Sequence, residues 1–574
     1  MSTAAKRLVA PALTALILAC MAAPAAAAPA GAPDPSFGAG GKVQTIFSTT
    51  GDIAADVAVQ QDGKIVAVGT AVDGSSDMLA IARYNTDGSL DGSFGAAGKV
   101  VLNPGYVAAK NFATAVAIQP DGKIVVAGYA KNGGDYDFLV TRLYANGVLD
   151  TDFGANGYRS YSFGLGGTNN DYAHDVAIQP DGQIVVAGSA GKSGGSNFAV
   201  LRLSAAGSPV TNFNGGSAVS FSIGSTYDSA DSLALQPNGS IVLSGTTYAS
   251  SDYDVALARL TSGGGFDPAF GGGTGKRQIA VGSEDDSASD LALQPDGKIL
   301  TAGYAKIAGT YRGTVLRFNT DGSNDVSFGS AGVAVPAPGS VLDQFNAVAV
   351  EPSGKIVAAG DWTSDGSSLS TVAGPLITRL NANGTTDTSF GTSGSTLGPV
   401  TAGGTSWNRI ALEPDGRVAA AGEDGNSHGN GFGGAFTVGM FTADPAPVIP
   451  LSSTIAKSLR GRIKAAKLKK FSGTAAGTGV AKVQIALGRP DSKLLKKSKR
   501  CLFISSSKGK LKKYKAIKKK CSAPAKWLTA KGTTSWSFKL TGKLKKGKYT
   551  LYVRALSASG VAQSKLTRRS FSVK

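Results

Sequence analysis

Few residues in this chain are placed to do chemistry. Its 574 residues include two histidines, His174 and His428, and three cysteines. His174 is followed by Asp175, but no serine stands in a Gly-x-Ser-x-Gly turn, and His428 lies in the glycine-rich stretch Asn426 to Gly434. The nucleophile, base and orienting acid of acyl transfer therefore have no sequence signature. A hydrolase or lyase acting on a polysaccharide would need a carboxylate pair, drawn from Asp361, Glu423 or Asp424. The segment Asn85-Thr86-Asp87-Gly88-Ser89-Leu90-Asp91 could pass for part of a calcium loop, but only Asp87 and Asp91 offer charge. Calcium takes about six to eight oxygens, and Asn146 and Asn383 replace the first acid in later copies. A turn-forming Asp that accepts backbone N–H groups explains the segment with less. The expectation is a non-enzymatic protein with no catalytic residue, metal or cofactor.

The strongest chemical signal is charge. Between Cys501 and Cys521 lie Lys508, Lys510, Lys512, Lys513, Lys515, Lys518, Lys519 and Lys520. Two cysteines in an exported chain most often form a disulfide, which would stabilise its domain by roughly 3 kcal/mol. Eight ammonium groups on one excursion repel one another, and a polyanion would relieve that cost. The partners this implies are an anionic cell-surface polymer, an acidic lipid or extracellular nucleic acid. The net charge of +19 conceals an asymmetry: residues 451–574 hold 34 Lys and Arg against one acid, Asp491, leaving 24 basic and 38 acidic residues before them. The spacer Asp444-Pro445-Ala446-Pro447-Val448-Ile449-Pro450 separates these bodies, and its prolines keep it extended.

The N-terminus reads as an export signal over residues 1–28. Lys6 and Arg7 precede the apolar stretch Leu8 to Ala23, and Ala25 to Ala28 supply small residues for cleavage. Ile17-Leu18-Ala19-Cys20 loosely resembles a lipoprotein cleavage box, so acylation of Cys20 is the alternative to release. No other segment is apolar for long enough to span a bilayer. The mature chain is expected to be secreted or held at the cell surface, with no transmembrane span.

Residues 29–444 are organised by repetition. Roughly every 60 residues an apolar strand runs into a Gln/Glu-Pro-Asp-Gly-like turn and a second apolar strand leaves it, with turns beginning at Gln60, Gln119, Gln179, Gln236, Gln294, Glu351 and Glu413. Each unit reads as a four-stranded antiparallel meander without helical periodicity. A Phe recurs at Phe37, Phe94, Phe153, Phe213, Phe270, Phe328 and Phe390. Three residues before it stand Asp34, Asp91, Asp150, Asp267, Asp325 and Asp387, with Val210 as the exception. The third strand carries Arg83, Arg142, Arg202, Arg259, Arg317 and Arg379, and Met440 in the seventh unit. The last unit stops after three strands, and Phe37 to Phe47 is an orphan fourth strand that would complete it. The fold expected is all-β: a seven-bladed β-propeller closed by the N-terminal strand, followed by a small β-sandwich.

These motifs carry a family resemblance. Arg-Leu/Tyr-x-x-Asp/Asn-Gly-x-x-Asp-x-x-Phe-Gly, followed by Gln-Pro-Asp-Gly-Lys-Ile-Val-x-Ala-Gly, resembles the delta-60 repeat across about residues 34–442. The resemblance implies an exported or surface protein and no activity shared by all members. Asn214, where Gly follows Phe elsewhere, and Met440 depart from the pattern.

In such a unit the regular turns share one face and the variable loops share the other, and variable loops on a rigid scaffold build binding surfaces. Those loops hold Tyr106, Phe112, Tyr136, Tyr172, Tyr253, Tyr311, Trp362 and Trp407, the candidate ligand face. After a Pro-rich linker at 445–457, residues 458–574 read as a Lys-rich domain that looks like an immunoglobulin-like or fibronectin type III-like sandwich. Its cues are the alternating runs Val480 to Leu487 and Lys548 to Ala555, with Trp536 to Leu540 between them.

Overall fold

The computed structural model describes residues 28–444 apart from short loop segments, the longest being 365–371 and 426–433, and mainly the strands of residues 445–574. The chain divides into two units, residues 1–444 and 445–574, at the start of the proline-rich spacer. The export signal, Tyr106, His428 and Cys521 lie outside the described residues, as do the side chains of Cys501 and the eight lysines that follow it.

Among the described residues there is no α-helix, only a 3-10 turn at Gly271–Gly273. The first unit is a series of antiparallel sheets, four-stranded except the sixth, where Thr401–Ala402 adds a short fifth strand. In the first sheet the strands are Gly51–Val59, Ile65–Asp73, Ser76–Tyr84 and Lys99–Leu102. Each Gln/Glu-Pro-Asp-Gly-like turn joins first and second strands. At the second of them Gly122 has φ +84°, which glycine adopts without a Cβ penalty, and its N–H donates to Gln119 O. Five further sheets follow in sequence, their first strands being Asn111–Ile118, Asp171–Ile178, Asp228–Leu235, Asp286–Leu293 and Leu342–Val350.

The last sheet is assembled from both ends of the unit. Thr405–Leu412, Val418–Asp424 and Ala435–Phe441 take as their fourth strand Lys42–Thr45, which pairs antiparallel to Ala435–Phe441 in the register Lys42↔Gly439. The N-terminal residues also occupy the places that local residues hold in other sheets. Asp34 N–H donates to Met440 O as Asp91 N–H donates to Arg83 O, and Phe37 is fully buried like Phe94.

Successive sheets pack through their first strands, and Thr405–Leu412 lies beside Gly51–Val59. A second set of bonds runs between Phe-Gly turns. Gly95 N–H donates to Asn146 O, Gly154 to Ala206, Asn214 to Gly263, Gly271 to Asp321, Gly329 to Asn383, Gly391 to Ala30 and Gly38 to Asp87. Each bond joins one sheet to the next, and Gly38 to Asp87 joins the split sheet to the first.

The space between sheets is filled by one large and one small side chain. Leu79, Phe138, Phe198, Val255 and Phe436, from third strands, share core clusters with Ala113, Ala173, Ala230, Ala288 and Ala54 of the following first strands. The order reverses twice. Gly313 faces Phe345, and Pro375 lines a cleft with Trp407. Total volume is conserved while the donor strand switches, which close packing tolerates.

Residues 445–574 form two sheets. One contains Lys470–Ala476 and Ser535–Lys539, and the other is built around Gly547–Leu556 and Lys482–Arg489. Phe538 from the first and Val483, Ile485, Leu551 and Val553 from the second share one core, in which Tyr549 stacks on Phe571 at 5.8 Å.

Candidate functional site

Two kinds of polar site recur in the first unit, and they differ in how much they vary. The repeated arginines form one near the regular turns. Arg83 Nε donates to Asp91 Oδ2 at 2.8 Å, and the guanidinium lies 4.7 Å from the Phe94 ring centroid. Its Nη1 donates to Ala145 O in the next sheet. Arg142, Arg259, Arg317 and Arg379 repeat the pairing with Asp150, Asp267, Asp325 and Asp387. A five-donor fork braces strand, turn and neighbouring sheet at once. Burial alone would raise the Asp91 carboxyl, but hydrogen bonds from Lys64 and Ser93 and the Arg83 charge overcome it and hold it well below the usual range. In the split sheet Met440 replaces the arginine, and Arg417 reaches over from the turn to Asp34 at 3.0 Å. Asp87 accepts the Ser89 N–H at 3.0 Å and the Ser89 hydroxyl, which is turn chemistry.

The second site lies where the first strands converge. Each first strand carries a one-residue bulge, between Ala54 and Asp56 in the first sheet and between Trp407 and Arg409 in the last. A bulge inserts an unpaired residue and re-aims its neighbours. The residues just after the bulges are Asp56, Ala115, Asp175, Ser232, Asp290, Ala347 and Arg409. Arg409 donates to Asn346 O at 2.7 Å and to Asp231 O at 3.2 Å, reaching from the last sheet to the fourth. Its charge acts on Asp56, Asp175, Asp231 and Asp290. Asp56, Asp175 and Asp290 each accept the N–H of a residue in the next sheet: Val116 at 2.7 Å, Leu233 at 2.7 Å and Val348 at 2.8 Å. Carboxylates from alternate sheets thus staple adjacent sheets, with one guanidinium among them. Burial pushes Asp56 up to about 7 against the pull of Arg409, and raises Asp175 and Asp231 for the same reason.

The residue following the second-strand glycine varies between sheets: Thr70, Tyr129, Ser189, Thr246, Tyr304, Asp361 and Glu423. Asp361 is buried and accepts hydrogen bonds from Ser406 Oγ at 3.0 Å, Gln344 Nε2 at 2.9 Å and Asn346 Nδ2 at 2.7 Å. Burial raises its carboxyl to about 6 despite these donors, and the charge of Glu423 adds to the rise. Burial alone raises Glu423. His174 is lowered by burial, and its Nε2 stands 3.5 Å from Ser189 Oγ, the outer limit of a hydrogen bond. Asp231 accepts the Ser229 hydroxyl at 2.7 Å. Acids and one imidazole from four sheets thus lie buried at this end, Asp361 coupled to Glu423 and Asp231 to His174.

The aromatic candidates separate into groups. Phe112, Tyr136 and Tyr172 gather round Tyr129, with ring centroids 4.8 to 5.5 Å from it. Tyr253 meets Tyr248 at 5.0 Å, and Tyr311 meets Tyr304 at 5.4 Å. Tyr129 and Tyr304 occupy the same column as Asp361 and Glu423 in their own sheets, and Tyr304 feels the charge of Asp231. The two tryptophans serve packing. Trp362 donates to Gly398 O at 3.1 Å, and Trp407 is 5% exposed with its ring against Gly439. Asp424 turns away to Lys42 and Gln44 and, with Trp407, lines a cleft of about 610 Å³ between the last two sheets. Among the described residues no group of three or more His, Cys, Asp or Glu is arranged to hold a metal ion.

Sequence reasoning did not single out Asp56, Asp231, Asp290 or Arg409. Their signal is a column of charged residues inside apolar strands, visible once the repeats are aligned past the bulge.

These repeats match a known family model. Segments 60–94, 119–153, 179–213, 236–270, 294–328 and 351–390 match the "Domain of unknown function (DUF5122) beta-propeller", so these six segments are similar to the repeats of a β-propeller family that resembles the delta-60 repeat. Each segment ends on the recurring Phe. The seventh set of motifs is split between residues 413–442 and 34–37 and has no matched segment. No curated protein matches the chain. Among solved structures, the extracellular domain of a hybrid two component system from B. thetaiotaomicron aligns over 91% of this chain and 55% of its own, at 10% identity and TM-score 0.36. The chain thus spans about half the length of that relative. Polysaccharide lyase Uly1 aligns over 68% of this chain and 90% of its own, at 11% identity and TM-score 0.39. Sqt1 from Chaetomium thermophilum aligns over 70% and 99%, at 12% identity and TM-score 0.37. No helix among the described residues is long and apolar enough to cross a membrane.

Proposed function

We propose that this is an exported, non-enzymatic recognition protein: a closed ring of seven blades that binds a polyhydroxylated ligand at the mouth of its axis, joined to a basic domain that holds it to an anionic surface polymer. Closure is supported by the Lys42–Thr45 pairing and by the Phe-Gly bonds that return from Gly38 to Asp87. The observation that carries the function is two buried polar pairs near the converging strands, Asp361 with Glu423 and Asp231 with His174, the second of which acts on the Tyr304 ring. Carboxyl groups accept from and, when protonated, donate to hydroxyls, while aromatic faces cover the apolar side of a sugar-like ring. Asp361 is committed to Ser406, Gln344 and Asn346, which leaves the site one free carboxyl short of the pair that glycoside hydrolysis uses. Binding is therefore preferred over the hydrolase or lyase reading. That second reading draws support from Glu423, whose raised carboxyl could donate a proton.

A glycan panel tests both readings. Glu423→Gln should weaken saccharide binding at least about tenfold while leaving the melting temperature within about 2 °C, with no shortened glycan produced by either form. Product formation by the unaltered protein that Glu423→Gln abolishes would replace the binding reading with the enzymatic one. The anchor rests on the eight lysines from Lys508 to Lys520. Replacing all eight by Gln in the full chain should lower retention on anionic wall or lipid fractions at low salt. Raising the salt should erase the difference; equal retention at low salt removes the anchor.

A further inference from the structure

Six arginines occupy the clamp position, and one lacks the carboxylate that the other five have. In the third sheet Val210 stands where Asp91, Asp150, Asp267, Asp325 and Asp387 pair with their arginines. Arg202 is nonetheless buried, at 5% exposure, with its guanidinium 4.6 Å from the Phe213 ring centroid. Nη1 donates to Ser262 O at 2.6 Å, and Nη2 donates to Asn212 O at 3.2 Å and Asn212 Oδ1 at 3.0 Å. All three acceptors are neutral, and Nε has no acceptor at all. A buried cation satisfied only by neutral groups is an unbalanced charge, which folded chains rarely keep without a counterion.

The surroundings leave room for one. A groove of about 550 Å³, between the Gln179–Gly182 and Gln236–Gly239 turns, is lined by Arg202, Gln179, Gln183, Asn212 and Ser262. Gln183 stands where Lys64, Lys123, Lys298 and Lys355 reach the clamp Asp in other sheets, so the third sheet has lost both of the usual charged neighbours. Gln179 Oε1 and Gln183 Oε1 are buried and receive no donor. The one acid beside the groove is Asp181, exposed on its turn and occupied by the Gln183 N–H at 3.0 Å and Nε2 at 2.8 Å. The wall thus offers a cation with one unused N–H and two unused carbonyl oxygens.

We propose that this groove is a binding site for a hydroxycarboxylate of the sugar-acid class. The carboxylate takes the place of the missing Asp against Arg202, and hydroxyl groups donate to Gln179 and Gln183. Arg suits a planar carboxylate because its fork matches two oxygens. The site lies by the regular turns and does not depend on the axial reading.

The test is thermal melting of the full chain in sodium D-glucuronate, with D-glucose plus sodium chloride at the same ionic strength as the reference. At concentrations well above its dissociation constant, glucuronate should raise the melting temperature by about 1–3 °C over the reference. Val210→Asp supplies the carboxylate from within the chain, so its melting temperature should start higher and no longer respond to glucuronate. Gln183→Glu, which puts a carboxylate into the groove from the turn, should also suppress the response. No glucuronate-specific shift in the unaltered chain, or an undiminished shift in whichever variant folds, overturns the proposal.

Discussion

The clamps near the regular turns and the staples at the axis use the same residue types to opposite ends. At the clamps Asp91, Asp325 and Asp387 would be raised by burial, but lysine and serine donors and an arginine charge hold them well below the usual range. At the axis Asp56, Asp175 and Asp231 share one arginine, and burial wins. The clamp recurs in sheet after sheet, whereas the axial column changes from Asp to Ala to Ser to Arg. A position that every sheet fills in the same way is holding the fold. A position that varies among Asp, Ala, Ser and Arg is where this molecule has been made particular.

That contrast breaks most visibly at the seam. Residues 29–47 supply Asp34, Phe37 and the strand Lys42–Thr45 to the split sheet. Removing them exposes the edge of Ala435–Phe441 and takes Asp34 from Arg417, which keeps Glu413 and Asp415. The shortened chain should lose its cooperative thermal transition, followed by circular dichroism, and aggregate. A sharp transition within about 5 °C of the full chain would mean that the seam carries little of the stability.

Arg379→Met should come next. Arg379 is fully buried and pairs with Asp387, Glu351 and Asp444, so its loss removes a partner from three acids, of which Asp387 and Asp444 keep Lys355. Breaking such a network costs about 3–5 kcal/mol, measurable by denaturant unfolding. Met440 holds the matching place naturally only because Arg417 supplies the charge to Asp34. A smaller loss, about 1–3 kcal/mol, is expected for Gly439→Ala, whose new Cβ would stand 2.6 Å from the Trp407 ring.

The clamp was legible in the sequence because it repeats. A third-strand Arg, an Asp and a Phe at fixed spacing give enough copies to reveal a structural role, and the single exception, Val210, stands out for the same reason. The orphan strand was legible from the incomplete last unit. The axis was not, because the bulge shifts side-chain alternation by one residue, so that Asp56 or Arg409 reads as a polar residue on the solvent side of a strand. Trp407 was legible as a large ring among small polar residues, but not the room that Gly422 and Gly439 make for it between sheets. Asp361 and Glu423 were recognisable as candidates by type, but their adjacency needed the packing of the last two sheets.

The opposite pKa shifts give the comparison its quietest test, the slope of stability with pH. For the clamp acids the folded state stays ionised at pH values where an unfolded Asp, near 3.9, takes up a proton. Their contribution is complete above about pH 4 and is lost as the pH falls below it. At the axis the folded state keeps a proton on Asp56 up to about pH 7 while the unfolded chain has released it. That contribution is complete below about pH 4 and is lost as the pH rises towards 7. Together they place the melting maximum on the acid side of neutrality, with a decline towards pH 8. Asp56→Asn removes the titration while its amide oxygen can still accept the Val116 N–H, now 2.7 Å from Asp56 Oδ2. The variant should therefore melt higher than the unaltered protein at pH 8, equal it near pH 4 and show a flatter profile between them. Parallel profiles would show that the axial acids stay ionised throughout, with Arg409 rather than burial setting their state.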